Sequence, residues 1–416
     1  MVYIKPFRGI RPRDNETAEK VSALPYDVMN RKEAKSMAEG NDHSILHITR
    51  AEIDFPDEVG DYDECVYQKA KENLSSFCEN NILIRDEKPV YYIYREIMGE
   101  TVQTGIVAIV SVSDYETGKV MKHELTRKEK EADRIHHFDV CDCQTEPVFF
   151  TYRHNETIDQ IVHDWISQTG PVYDFTSDDN VKHILWVIDD NEKINIIENQ
   201  FSDLNEVYIA DGHHRTASAA AISKIRKEQG LASNTDDPAN FVMAVIFPDI
   251  ELKIMAYNRV VKMDDSFDAA SFLENLGKSF KIKKQDRDYL PEEKHTFGLY
   301  LNGSWYSMIA DPSLYQSDDV VANLDASILQ NNVLAPYFGI EDPRTDKRID
   351  FIGGIRGNRE IVRRCEEEHS IGFNLYPVEI SDLMAVSDHG KMMPPKSTWF
   401  EPKLRSGLFL HSFKKD

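Results

Sequence analysis

The chain is short of positive charge: 49 lysines and arginines stand against 72 aspartates and glutamates, a formal net charge of −23. That deficit argues against a protein that coats nucleic acid or docks on an anionic membrane. It leaves room for an anionic ligand, but only at a concentrated basic spot on an acidic body. Long hydrophobic runs are also missing. The longest, "GIVAIV" at 105–110 and "FVMAVIF" at 241–247, have the length of core strands and fall far short of a membrane span. Five cysteines in 416 residues make no disulfide framework. The opening "MVYIKPFRGIRPRDNE" has no apolar stretch between a basic start and a small-residue cleavage site. The expectation is a cytoplasmic protein with no membrane and no nucleic-acid partner.

What is present is a globular composition, 41% apolar and 29% charged, over a length sufficient for two or three domains. "NRKEAKSMAEG" and "YQKAKENLSSFCENN" read as helices in the first hundred residues. "PVYYIYREI" and "TGIVAIVSVSDY" read as paired antiparallel strands. "HILWVI" and "KINII" are expected as strands, as are "FVMAVIF" and "LKIMAYNRVV"; "SFDAASFLENLGKSF" is an amphipathic helix, and "HTFGLYLNG" with "WYSMIA" a hairpin. Thr126 and Glu129 have capping-box spacing, which predicts a helix start at Thr126. The hairpins are too many for a doubly wound parallel sheet, so the fold class is α+β.

Three stretches carry chemistry. In "VYIADGHHRTASAAA", from Val207, an apolar strand runs into Asp211-Gly212-His213-His214-Arg215 and then a helix of small residues. Free N–H groups at a helix start, with the helix dipole behind them, form an anion site. Gly212 lets a phosphate approach the backbone, Arg215 offers a forked grip, and His213 and His214 add donors. Asp211 as a plain N-cap explains the Asp-Gly pair but not the histidines and arginine beside it. A metal on Asp211, His213 and His214 is the competing reading. It is disfavoured because adjacent helical residues point roughly 100° apart.

The second stretch is "KHELT" at 122–126, which places His123 and Glu124 in another strand-to-helix connection. A carboxylate there could serve as an acceptor or base, although spacing alone reads as an ordinary surface glutamate. The third is "MMPPKSTWFEPK", where Lys396, Ser397 and Thr398 follow a rigid Pro-Pro without the glycines of a P-loop. "HHFDVCDC" at 136–143 holds ligand-type residues without zinc-site spacing, and "DFIGGIRGNREI" lacks the order of a dinucleotide fingerprint.

Taken together and in order, "PYDV" at 25–28, "KHELT…ADR" at 122–134, "VYIADGHHR" at 207–215 and "MPPKSTWFEPKL" at 393–404 resemble the DUF1015 family. From about residue 101 onward the chain is also similar to the free L-serine kinases of the ParB/sulfiredoxin-like superfamily. The resemblance implies a ParB/sulfiredoxin-like mixed-sheet nucleotide-binding core at 101–260, an N-terminal α+β module at 1–100 and a C-terminal α+β region at 261–416. It implies transfer of phosphate from ATP or ADP, with Mg²⁺, to the hydroxyl of a small hydroxy amino acid, L-serine before others. Glu124 would handle the substrate hydroxyl, and Asp211 would lie near the transferred group. Gly212, His213, His214 and Arg215 would bind the nucleotide phosphates, while His123, Lys396, Ser397 and Thr398 would meet the acceptor. The chain departs from those kinases at Trp399-Phe400, where they carry a basic Arg-His pair, and no role is assigned to Asn258-Arg259. The alternative is a non-catalytic nucleotide sensor; a nuclease would need a basic track that the sequence lacks. Oligomeric state is left open.

Overall fold

A computed structural model describes residues 1–232 and 234–415, and the chain divides into two units. The first comprises Met1–Leu252 together with Pro402–Asp416, and the second Lys253–Glu401. Both are mixtures of helix and strand, so the α+β class holds.

The first unit is built on a nine-stranded mixed sheet. In chain order its strands are β1 (Ile4–Lys5), β2 (Tyr91–Met98), β3 (Thr101–Ser111), β4 (Val120–Met121), β5 (Val148–Tyr152), β6 (Tyr173–Thr176), β7 (Lys182–Ile188), β8 (Val207–Asp211) and β9 (Phe241–Pro248). They lie in the order β4-β8-β5-β9-β3-β2-β7-β6, with β1 paired to β3. Only β4–β8 and β5–β9 are parallel. β2 and β3 form the expected hairpin, closed by Gly99 in the left-handed region at φ 59°. β5 and β9 are buried along their full length, and one core runs along the sheet from Val2 and Ile4 to Ile246.

The helices of this unit that matter below are α1 (Glu64–Glu79), α2 (Lys128–Cys141), α3 (Asn191–Asp203) and α4 (His213–Glu228). Segment 191–203 corrects the strand expected at "KINII". Ile194, Ile197 and Phe201 are the buried positions, spaced by three and four, and Asp190 caps the start by accepting from the Lys193 N–H. The helix expected from Thr126 starts at Lys128 instead, with Arg127 at the cap and no side-chain cap bond, so the Thr126–Glu129 pair does not form a capping box.

The chain does not divide at the boundaries expected from the sequence. Position 100 falls in the turn between two paired strands, and residues 10–83 share a core with Cys141, Cys143 and Leu410. The first hundred residues therefore pack as part of the first unit, which ends at Leu252 and is rejoined at Pro402.

The second unit carries a six-stranded antiparallel sheet. Its strands are β10 (Tyr257–Lys262), β11 (Phe280–Gln285), β12 (Thr296–Leu301), β13 (Ser304–Ala310), β14 (Ile349–Gly353) and β15 (Ser370–Leu375), in the order β11-β13-β12-β15-β10-β14. The β12–β13 hairpin turns through Asn302 and Gly303, both at positive φ, the conformation an Asn-Gly pair favours. No helix among the described residues is long and apolar enough to cross a membrane.

Candidate functional site

The site grows out of one edge of the first unit's sheet. β4 and β8 are parallel neighbours, so both end at that edge; β5 is antiparallel to β8 and begins there. The segments 122–127, 211–215 and 146–148 are brought together for that reason alone.

Gly212 makes the turn from β8 into α4 at φ 93°, a conformation that favours glycine. A Cβ at this position would stand 3.2 Å from Val148 Cγ1 and 3.3 Å from the Arg215 guanidinium. Asp211 is therefore the last strand residue and not the cap. Its Oδ1 accepts from the Gly212 N–H at 2.8 Å and its Oδ2 from Lys403 Nζ at 3.0 Å. Burial works to raise the Asp211 carboxyl, but Lys403 and then Arg215 outweigh it and hold the group well below the usual carboxylate range. The Gly212 N–H is thus turned back onto Asp211. The first N–H groups of α4 itself, on His213, His214 and Arg215, have no acceptor within the helix and carry the positive end of its dipole.

The two loops touch through histidines. The His123 N–H lies 3.4 Å from Nε2 of His213, and the Arg127 N–H lies 3.4 Å from Nδ1 of His214. The rings of His123 and His213 meet edge to face at a centroid distance of 4.4 Å. Burial pushes His123 down to about 4 and His213 well below its ordinary value, so both rings are neutral at pH 7. With Nε2 of His213 accepting, its proton sits on Nδ1. The His123 ring is buried against that of His213. Glu124, the next residue, is half-buried in the same loop, and Leu125 beside it is 59% exposed.

Arg215 is buried. One terminal nitrogen donates to the Pro147 carbonyl just before β5, and its buried Nε has no hydrogen-bond partner. Burial disfavours its charge, yet Asp27, Glu146 and Asp211 together hold it above its ordinary value. Glu146 is in turn fixed by the Tyr26 N–H at 3.0 Å and the Ser406 hydroxyl at 2.7 Å, with Arg134 Nη1 at 3.9 Å from its other oxygen. The Arg134 guanidinium lies 4.1 Å over the Tyr26 ring and donates to Asp133 at 2.9 Å. These contacts give "PYDV" and "ADR" a physical task, the support of Arg215. Sequence reasoning missed Glu146 and Lys403, and only the Lys403 side of "EPKL" lay in a quoted motif.

Lys396, Ser397 and Thr398 belong to the second unit. Lys396 has φ 57° and Ser397 donates to the Pro394 carbonyl at 2.6 Å. The Lys396 carbonyl accepts from Arg259 at 3.2 Å, so the residue left without a role fastens this loop. Burial brings the Arg259 guanidinium down to about 10.

A family model, that of DUF1015, described as a protein of unknown function, matches residues 4–327. The chain belongs to the DUF1015 family. In DUF1015 terms the match takes in every site residue of the first unit from Asp27 to Arg215 and stops short of Lys396. A comparison with curated proteins gives no match. Among solved structures, the DUF1015 chain is similar to SbnI with a C-terminal truncation from Staphylococcus aureus, at 12% identity and a TM-score of 0.40, over 74% of this chain and 90% of that one. A conserved hypothetical protein from Pyrococcus furiosus follows at 13% identity and 0.33, over 73% and 95%. A free serine kinase in complex with AMP matches at 12% and 0.36, over 73% and 91%. Likenesses this loose carry no residue roles across.

Proposed function

We propose that the protein is a small-molecule kinase that moves a phosphoryl group from ATP or ADP to the hydroxyl of a free amino acid, with L-serine the acceptor named by the motif resemblance. Residues 101–260 are then a ParB/sulfiredoxin-like nucleotide-binding core, as the resemblance of the motifs implies. The observation that supports the reading is that the 122–127 loop, which carries Glu124, contacts the first residues of α4 through the His123 and Arg127 N–H groups.

In this reading the nucleotide phosphates rest on the N–H groups of His213, His214 and Arg215. The uncommitted nitrogens of Arg215 and the Nδ1 proton of His213 add donors, and both are held by burial and do not need to reorganise. Glu124 accepts the proton of the acceptor hydroxyl; the hydroxyl oxygen bonds to the terminal phosphorus, and the nucleotide leaves shorter by one phosphate. Asp211 sets the geometry of the turn through Gly212 and Lys403. Mg²⁺ fits here through the nucleotide, since both Asp211 oxygens already have donors and a magnesium ion keeps several waters and substrate oxygens. When bound it neutralises phosphate charge. The acceptor contacts assigned to Lys396, Ser397 and Thr398 belong to the same proposal.

The test is to incubate the full chain with Mg²⁺, ATP or ADP, and L-serine, and to look for O-phosphoserine by mass spectrometry. Glu124→Gln should lower turnover by about 100-fold or more while nucleotide affinity stays within a few-fold. Nucleotide binding with no phosphorylated product from serine, threonine or homoserine would replace the kinase by a nucleotide sensor.

A further inference from the structure

A second cluster of charged side chains lies wholly within the second unit. Lys294, His295, Asn323, Asp325, Tyr376 and Asp382 line a cavity of about 190 Å³, closed by the apolar side chains of Val320, Leu324, Pro377 and Val378. That volume is below the range of nucleotide and drug-sized sites and suits a small molecule.

Three features define what it would hold. Asp325 is 7% exposed; its Oδ1 accepts the His295 N–H at 2.9 Å, and its buried Oδ2 has no hydrogen-bond partner. A buried acceptor left unsatisfied is costly and calls for a donor. Lys294 does not supply it: its ammonium lies between Glu379 at 2.7 Å and Asp382 at 3.0 Å and makes no bond to Asp325 Oδ2. His295 does not either: its Nε2 faces the Asn323 carbonyl at 3.3 Å, its ring stacks on Tyr315 at 3.6 Å, and burial lowers its basicity. One cation thus stands against three carboxylates around an apolar chamber, and Arg259, the remaining charge that Asp325 feels, is committed to the Tyr257 and Lys396 carbonyls. A metal ion would need several free oxygens, and a single one is open here.

We infer that this cavity is a binding site for a small ammonium-bearing molecule with an apolar body, its charge seated on Asp325 and its hydrocarbon part between Val320, Leu324 and Val378. The site is independent of the kinase reading. Burial holds the Asp325 carboxyl up at about 7, so the ligand must find it ionised. Glu379 and Asp382 also face the site and are bonded to Lys294. Lys294 and Arg259 keep their charge across neutral pH and His295 is neutral there, so the titration of Asp325 governs occupancy.

The probe is isobutylammonium, titrated into the full chain by calorimetry and by NMR, with isobutanol alongside. The amine should bind, tighten by about tenfold between pH 6 and pH 8 as Asp325 ionises, and the alcohol should not compete. Asp325→Asn should weaken the amine tenfold or more, and Val378→Phe should do the same by filling the chamber without touching charge. No amine binding at pH 8 would overturn the proposal, and equal binding by the wild type and both variants would overturn it too, by placing the amine outside this cavity. Should Asp325→Asn fail to fold, Val378→Phe and the alcohol decide. Serine phosphorylation is read separately, so loss of one result leaves the other standing.

Discussion

Two aspartates, one in each unit, show how little burial alone decides. Asp211 keeps 35% of its side chain exposed and is held firmly ionised, because Lys403 and the Gly212 N–H take its two oxygens and Arg215 stands close. Asp325 is deeper, has one donor for two oxygens, and is pushed up to about 7. Burial pushes both carboxyls up, and the net sign turns on whether partners outweigh it. The first arrangement fixes a charge permanently, whereas the second leaves a charge to be supplied or withdrawn.

The largest test of that contrast is pH. Asp325 carries a raised folded value, so the folded state holds its proton between about 4 and about 7, and this group's contribution to stability falls as pH rises through that window. Buried neutral histidines act in the opposite sense. His123 and His411 at about 4, and His137 and His183 at about 3, lie below the ordinary value near 6.5, so their contribution is complete above about 6.5 and is lost as pH falls. Each group is worth on the order of 3 kcal/mol over its window. Urea unfolding from pH 4.5 to 8 should therefore show stability lost on the acid side. Asp325→Asn should steepen the net rise with pH, because it removes the opposing slope. An unchanged profile would mean that Asp325 has an ordinary carboxyl.

A smaller effect comes from the partners of Asp211. Lys403→Met should destabilise the first unit by about 1–3 kcal/mol, discounted from a fully buried pair because Asp211 remains partly exposed. The double variant with Asp211→Asn should recover part of that loss. Additive losses would mean that the two side chains act separately. Smallest is Gly212→Ala. The left-handed backbone costs about 1–2 kcal/mol with a Cβ present, and the 3.2 Å approach to Val148 adds to it. Nucleotide affinity should fall along with the melting temperature, and an unaltered affinity would detach the turn from phosphate binding.

The strand–glycine–helix turn was legible because its parts are contiguous: Val207 to Glu228 contain all the local rules needed. The β2–β3 and β12–β13 hairpins were legible for the same reason, with Gly99 and Asn302-Gly303 marking their turns. Contacts between distant segments were not. Glu146 matters because Tyr26 and Ser406, 120 and 260 residues away, converge on it. Asp325 looked like one acidic residue among many, since nothing local tells that its second oxygen goes unpaired. "KINII" misled because alternation over five residues fits a strand as well as a helix stripe, and only the wider spacing to Phe201 separates the two.

The chain's return to the first unit at Pro402 has a consequence for its synthesis. Lys403, which neutralises Asp211, and Arg405 and Ser406, which bind Asp179 and Glu146, are translated after the whole of Lys253–Glu401. A nascent chain that has just made the phosphate turn carries an aspartate without its lysine and a sheet without its final strap. The second unit's segment is complete before the first unit's last contacts exist, and the first can be completed only after Pro402–Ser406 has been made. The turn at Gly212 thus gains the lysine that neutralises its aspartate only after nearly two hundred further residues have been added.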